Sequence, residues 1–242
     1  MQLARHFEHT GSRFFRWRSR LPWLLLPAYA ASLTDFRPWA ADAWWSLACL
    51  ALAAAGMGLR LHVSGTAAWG TSARNTEEPV ADALNVTGLY SVVRHPLYLG
   101  NYLIGLGLCL LPRTWYLPLL FTLAFALYYE RIVLVEEAFL LRRFGETFRR
   151  WADRVPGFFP RWTGYQPAAL PFSWRAALRR EFYGISTTAI LFGIAQALKA
   201  IAATGGWRLE PVWASVVMTG GVFFVVMRTL KKRTRVLEVS GR

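Results

Sequence analysis

Cysteine, histidine, lysine and acidic residues are all scarce in this chain of 242 residues, and each scarcity removes a class of protein. Only Cys49 and Cys109 are present, both inside apolar runs, so no disulfide framework staples the fold. Those two cysteines and four scattered histidines give no paired-ligand spacing, which argues against a structural zinc site, and no metal is expected. Charged residues make up 17% of the chain against about 25% in an ordinary soluble domain, so the composition leans away from water. What is abundant is apolar surface. Hydrophobic residues reach 55%, with 12 Trp, 16 Phe and 9 Tyr, an aromatic load typical of chains that meet membrane interfaces. That content rules out a disordered chain. The 28 basic residues nonetheless outweigh 14 acidic ones and leave a net charge of +14.

Where the charges fall explains how the two coexist. Six apolar runs approach the roughly 20 helical residues needed to cross a hydrocarbon core about 30 Å thick. They are Leu21 to Phe36, Ala41 to Leu61, Leu97 to Leu111, Trp115 to Val135, Phe182 to Ile201 and Pro211 to Met227. The first and third are short and need interfacial flanks or tilt. Arg5, Arg13, Arg16, Arg18 and Arg20 precede the first run, nine arginines lie from Arg142 to Arg180, and Arg228, Lys231, Lys232, Arg233, Arg235 and Arg242 end the chain. With six spans these three groups share one face. Basic residues are retained on the cytoplasmic side, so both termini and the hydrophilic loops 62–94 and 136–181 are expected there, in a bacterial inner membrane. The charge thus reads as topology, and no nucleic-acid partner is expected. Arginines followed by an apolar stretch and Ala28-Tyr29-Ala30 also resemble a secretory signal with its cleavage site. Pro22 and Pro27 interrupt that stretch, and removing it would upset the charge asymmetry. The expectation is an all-α, polytopic integral membrane bundle of about six helices.

Residues able to do chemistry gather in two blocks. The first runs from Thr87 to Asn101 and contains Arg94-His95-Pro96-Leu97-Tyr98. Proline is favoured in a first helical turn, so Pro96 marks a helix start whose N–H groups offer an anion site beside Arg94 and His95. The second holds Glu130-Arg131, Glu136-Glu137, Phe144-Gly145-Glu146-Thr147-Phe148, Trp151 and Arg154-Val155-Pro156. Ionisable groups at the end of a membrane helix are expensive and default to function. Glu130 and Glu137, seven residues apart, share a helical face with Arg131 beside it. The bland alternatives are that Arg94 snorkels to head groups while His95 and Tyr98 decorate the interface, and that Glu136 and Glu137 merely pair with Arg142 and Arg143.

In this order and spacing the two blocks resemble the membrane methyltransferases typified by isoprenylcysteine carboxyl methyltransferase, with phospholipid N-methyltransferases as more distant relatives. The resemblance runs from about Asn75 to Pro156 and implies S-adenosylmethionine bound in a pocket at the cytoplasmic helix ends. By position it places the cofactor contacts on Asn75, Asp82, Leu84, Asn85, Tyr90, His95, Pro96, Leu97, Tyr98 and Glu136. Where eukaryotic members have a His-x-Leu-Val stretch, this chain has Asp82-Ala83-Leu84-Asn85. Arg131 is displaced by one residue from the family's substrate-facing arginine. It is the candidate to desolvate and aim an anionic acceptor oxygen, with Arg154 or Arg94 as deputies. Glu137, with its neighbour, is the base that an amine acceptor would require. The chain then divides into 1–61, a basic segment with two helices; 62–165, the methyltransferase core; and 166–242, an Arg-rich connector, two further helices and a basic tail.

Arginine outnumbers lysine by 25 to 3, and guanidinium forks suit bidentate binding of phosphate oxygens, although positive-inside topology and base composition supply arginine as well. The stretches around Asn75, Asn85-Val86-Thr87-Gly88 and Leu97-Tyr98-Leu99-Gly100-Asn101 look most like bacterial members such as lipid A 1-phosphate methyltransferases. A membrane lipid is therefore the expected partner, with a lipid phosphate like that of lipid A as favoured acceptor. A prenylcysteine carboxylate and a phospholipid amine are the alternatives. Membrane sterol reductases that use NADPH also carry an Arg-His-Pro block, but theirs usually continues Gly-Glu where this chain has Gly100-Asn101.

Overall fold

A computed structural model describes residues 24–68, 81–239 and 241. Among them are seven α-helices and no strand: α1 (Leu26–Thr34), α2 (Asp42–Thr66), α3 (Pro96–Leu110), α4 (Tyr116–Phe144), α5 (Glu146–Ala152), α6 (Trp174–Thr204) and α7 (Pro211–Arg233). Each expected apolar run falls on a helix. α2, α4, α6 and α7 are long and apolar enough to cross a membrane, and α3 is a shorter apolar helix. The first run lies on the 9-residue α1, with its residues 21–23 outside the described residues. Asn75 and the five N-terminal arginines lie outside them too. The architecture is a polytopic membrane helical bundle.

Several helices outlast the apolar runs. α2 continues from Leu61 to Thr66, α4 continues from Val135 to Phe144, and α6 starts at Trp174 rather than Phe182. Hydropathy marks the slab of hydrocarbon, whereas the backbone ladder continues wherever polar side chains find partners. The extensions carry polar side chains that face other helices: Ser64 on α2, Glu136 and Glu137 on α4, and Glu181 on α6. Proline opens α1, α3 and α7, where its missing N–H costs nothing. Ser173 caps α6 by accepting from the Ala176 amide, and Gly205 ends that helix in the left-handed region.

α2 packs against α3 on one side and α6 on the other, and α7 packs on α6. The α2–α3 seam depends on glycine, because a Cβ on Gly107 would sit 2.6 Å from the Cys49 carbonyl oxygen. Small residues let membrane helices approach in this way. Gly107→Val is expected to force the pair apart at a cost of about 1–3 kcal/mol, read as a lower melting temperature in detergent; an unchanged value would contradict the packing. Ion pairs clamp α6 to both ends of α2. At one end the buried Lys199 ammonium donates to Asp42 Oδ2 at 2.7 Å and Ser46 Oγ at 3.0 Å. At the other, Arg60 and Glu181 meet at 2.7 Å, close to the functional cluster.

Candidate functional site

Pro96 begins α3 and so fixes His95 as the residue that caps it, with φ −125° and ψ 62°. The His95 carbonyl accepts from the Tyr98 and Leu99 amides at 3.1 and 3.2 Å. The connector clasps this corner from outside: the Arg94 amide donates to Pro156 O at 2.8 Å, and the Arg161 amide donates to Val92 O at 3.0 Å. Val92, Val93 and Pro96 are almost fully buried, and Leu97 packs against Val63, Leu89, Val92 and Val93. The local sequence therefore holds Arg94 and His95 rigidly against the extension of α4.

α4 answers with two adjacent carboxylates. His95 Nε2 lies 2.9 Å from Glu137 Oε1, and Arg94 Nη1 donates to Glu137 Oε2 at 3.0 Å. A carboxylate oxygen accepts, so the Nε2–H form of the imidazole is the one that can donate in this contact. The Tyr98 hydroxyl donates to Glu136 Oε2 at 2.7 Å, and His95 Nδ1 is 3.8 Å from the same oxygen. The His95 ring stacks on Tyr98 with centroids 5.5 Å apart, and Tyr98 packs on Tyr129 at 4.6 Å.

The charge pattern is uneven in a useful way. Glu137 is matched by Arg94. Among the described residues Glu136 meets the neutral Tyr98 phenol and the His95 ring, with no guanidinium within ion-pair distance. The buried Nε of Arg94 has no acceptor among the described residues.

Gly145 turns the chain over this cluster. Its φ of 53° is a conformation that L side chains rarely adopt, and it ends α4 while starting α5. Phe148, Trp151 and Val155 then bury against Leu84, Val86 and Tyr90. The Trp151 indole donates to the Tyr90 carbonyl at 3.0 Å. Burial, and then the nearby Glu136 carboxylate, push the Tyr90 phenol well above its ordinary range, so it stays neutral.

Arg94, His95, Pro96, Tyr98, Tyr90, Glu136 and Glu137 come together, with Leu84 and Leu97 in the apolar walls. Asp82 is exposed and lies 3.8 Å from Arg143. Asn85 and Arg131 are half-buried, and Arg131 sits just over one helical turn before Glu136 on α4. Arg154 is exposed, its Nε donating to the Arg150 carbonyl at 3.0 Å, so it stands at the rim. Glu130 is exposed and does not share the setting of Glu137. Neither bland alternative describes the cluster, since Arg94 turns inward to Glu137 rather than outward to head groups. Sequence reasoning passed over Arg60 and Glu181 as span flanks and did not single out Tyr129. All three join Asn101 beside Tyr98, and the available signal was the spacing of Tyr98 and Asn101 on one helical face.

Helical bundle and cluster together define an integral membrane protein with a histidine–carboxylate–tyrosine site at one end of its spans. Residues 46–147 match the family model described as phospholipid methyltransferase, a stretch that includes both carboxylates and the whole Arg-His-Pro block. Over that stretch, which is less than half of the chain, it is similar to phospholipid methyltransferases. The cobalt-zinc-cadmium resistance protein CzcN of Cupriavidus metallidurans is 40% identical over 85 residues, covering 35% of this chain and 39% of the relative. The nickel-cobalt-cadmium resistance protein NccN of Alcaligenes xylosoxydans xylosoxydans is 35% identical over 131 residues, covering 54% and 58%. A protein-S-isoprenylcysteine O-methyltransferase of Schizosaccharomyces pombe is 35% identical over 80 residues, covering 33% and 34%. The chain spans less than two thirds of the length of each of these relatives. No solved structure matches it.

Proposed function

We propose that this protein is an S-adenosylmethionine-dependent methyltransferase that acts on an anionic lipid head group at the cytoplasmic face of the membrane, with a lipid phosphate such as that of lipid A as favoured acceptor. The observation that carries this reading is the Glu136 carboxylate, which meets Tyr98 and His95 and no guanidinium among the described residues, beside the Arg94–His95 corner that grips Glu137. Glu136 and Tyr98 would hold the ammonium or ribose, and Arg94 with His95 the carboxylate. Leu84, Val86 and Tyr90 would form the apolar wall. Bound there, S-adenosylmethionine supplies a methyl group made electrophilic by its sulfonium. The chain's own part is to hold its partners in near-attack geometry away from water, which is where most of the acceleration in such a displacement arises.

An anionic acceptor is supported by what the site has already committed. An amine must lose a proton, yet Glu137 is held by Arg94 and His95, and Glu136 by Tyr98. An anionic oxygen needs no base, only a cation to aim it, and Arg131 is the residue for that role, with Arg154 at the rim. A prenylcysteine carboxylate meets the same requirement and is the second reading, favoured by the relative from S. pombe. Two relatives are named for metal resistance. Methylating a phosphate removes a negative charge that divalent cations bind, so growth on cadmium or cobalt is a useful cellular readout here.

Binding and turnover separate the roles. S-adenosylmethionine is expected to raise the melting temperature of the purified protein. Arg131→Ala is expected to keep that shift and lose about 100-fold in turnover. Stabilisation by NADPH and not by S-adenosylmethionine would overturn the proposal in favour of a reductase. Loss of the shift in Arg131→Ala would move that residue to the cofactor side.

A further inference from the structure

A second polar cluster lies beside the site and draws in the C-terminal helices, which fall outside the family match. Glu181 on α6 is buried, its side chain 2% exposed. Its Oε2 accepts from Arg60 Nε at 2.9 Å and Arg60 Nη2 at 2.7 Å, and its Oε1 accepts from Ser64 Oγ at 2.7 Å. Arg60 Nη1 donates to Asn101 Oδ1 at 2.5 Å, and Asn101 Nδ2 donates to the Tyr129 hydroxyl at 3.1 Å. Tyr129 packs on Tyr98, which holds Glu136. The preceding residue, Arg180, caps the end of α2 by donating to the Ser64 and Ala67 carbonyls at 3.2 and 3.4 Å.

We infer that Glu181 is a positioning residue for the reaction, acting through Arg60, Asn101 and Tyr129 on the face where Tyr98 and Glu136 stand, so that α6 is part of the catalytic unit. The inference rests on the methyl-transfer reading above. A guanidinium can only donate, so Arg60 forces the Asn101 amide to turn its oxygen inward and its NH2 toward Tyr129. Glu181 sets the guanidinium by gripping two of its nitrogens. A buried ion pair is weak evidence for stability, because well-packed apolar replacements often do as well. Its particular product here is one orientation of a neutral amide and of the aromatic pair next to it.

The test uses the full chain in nanodiscs, with fluorotyrosine incorporated at Tyr129 in one preparation and at Tyr98 in another. In Glu181→Gln and in the double variant Arg60→Met/Glu181→Leu, the fluorine resonances are expected to shift or split. Turnover is expected to fall about 10- to 100-fold, with the KM for S-adenosylmethionine within about threefold of wild type. The double variant keeps the test open if Glu181→Gln alone fails to fold, since it removes both members of the Arg60–Glu181 ion pair. Unchanged resonances with turnover within about twofold of wild type would overturn the inference. A wild type that transfers no methyl group would sink the methyl-transfer reading instead, and the fluorine shifts would then decide the network alone.

Discussion

His95→Ala is expected to cost this protein about 100-fold or more in affinity for S-adenosylmethionine, with methyl transfer lost in proportion. Two contacts converge on that ring: the 2.9 Å bond to Glu137 and the stack on Tyr98. Hydrogen bonds to charged groups contribute about 1.5–3 kcal/mol each, so losing one together with the orientation of its neighbour accounts for the effect. Alanine also leaves Glu137 with Arg94 alone and frees Tyr98 to move, which displaces Glu136. Titration calorimetry with the purified variant measures the affinity. A dissociation constant within about threefold of wild type would remove His95 from the site.

The second large effect is expected at Glu137, and it has the opposite electrostatic sign. Glu137→Leu leaves Arg94 and His95 Nε2 facing an apolar side chain. The partners are about one-fifth exposed, at 23% for Arg94 and 20% for Glu137, so solvent recovers part of the loss. A destabilisation of about 1–3 kcal/mol is expected after that discount. The site also gains a net positive charge beside Glu136, which weakens binding of a cationic ligand. Glu137→Gln keeps an acceptor and the shape while losing the charge, so its stability is expected to fall between wild type and Glu137→Leu. Thermal melts of the three proteins give the order. Equal melting temperatures would mean that Arg94 and His95 do not rely on Glu137.

The bundle was legible because the bilayer imposes one simple rule on sequence. Among the described residues each apolar run overlaps a helix, the first through only nine residues, and the Arg-His-Pro corner and the Glu pair stand out in the sequence itself. The meeting of Glu137 with Arg94 and His95 was not legible, since residues over 40 apart in sequence and on different helices leave no periodic trace. The same holds for Glu181 and Arg60, 121 residues apart. Read singly, each is a charge near the end of an apolar run, where snorkelling is the ordinary explanation. Only the packing of α2 between α3 and α6 shows that both turn inward. Arg154 illustrates the converse, because motif position drew attention to a side chain that the fold leaves exposed.

Methyl transfer to an anionic lipid at the cluster of His95, Glu136 and Glu137 is the proposal from which the other expectations descend. The most direct measurement incubates purified protein in nanodiscs of its native lipid extract with S-adenosylmethionine carrying a deuterated methyl group, and then analyses the lipids by mass spectrometry. Deuterated methyl is expected on an acidic lipid, carried by a phosphate oxygen, and none with His95→Ala. Label confined to amine head groups, no label in any lipid, or equal labelling by wild type and His95→Ala would contradict it.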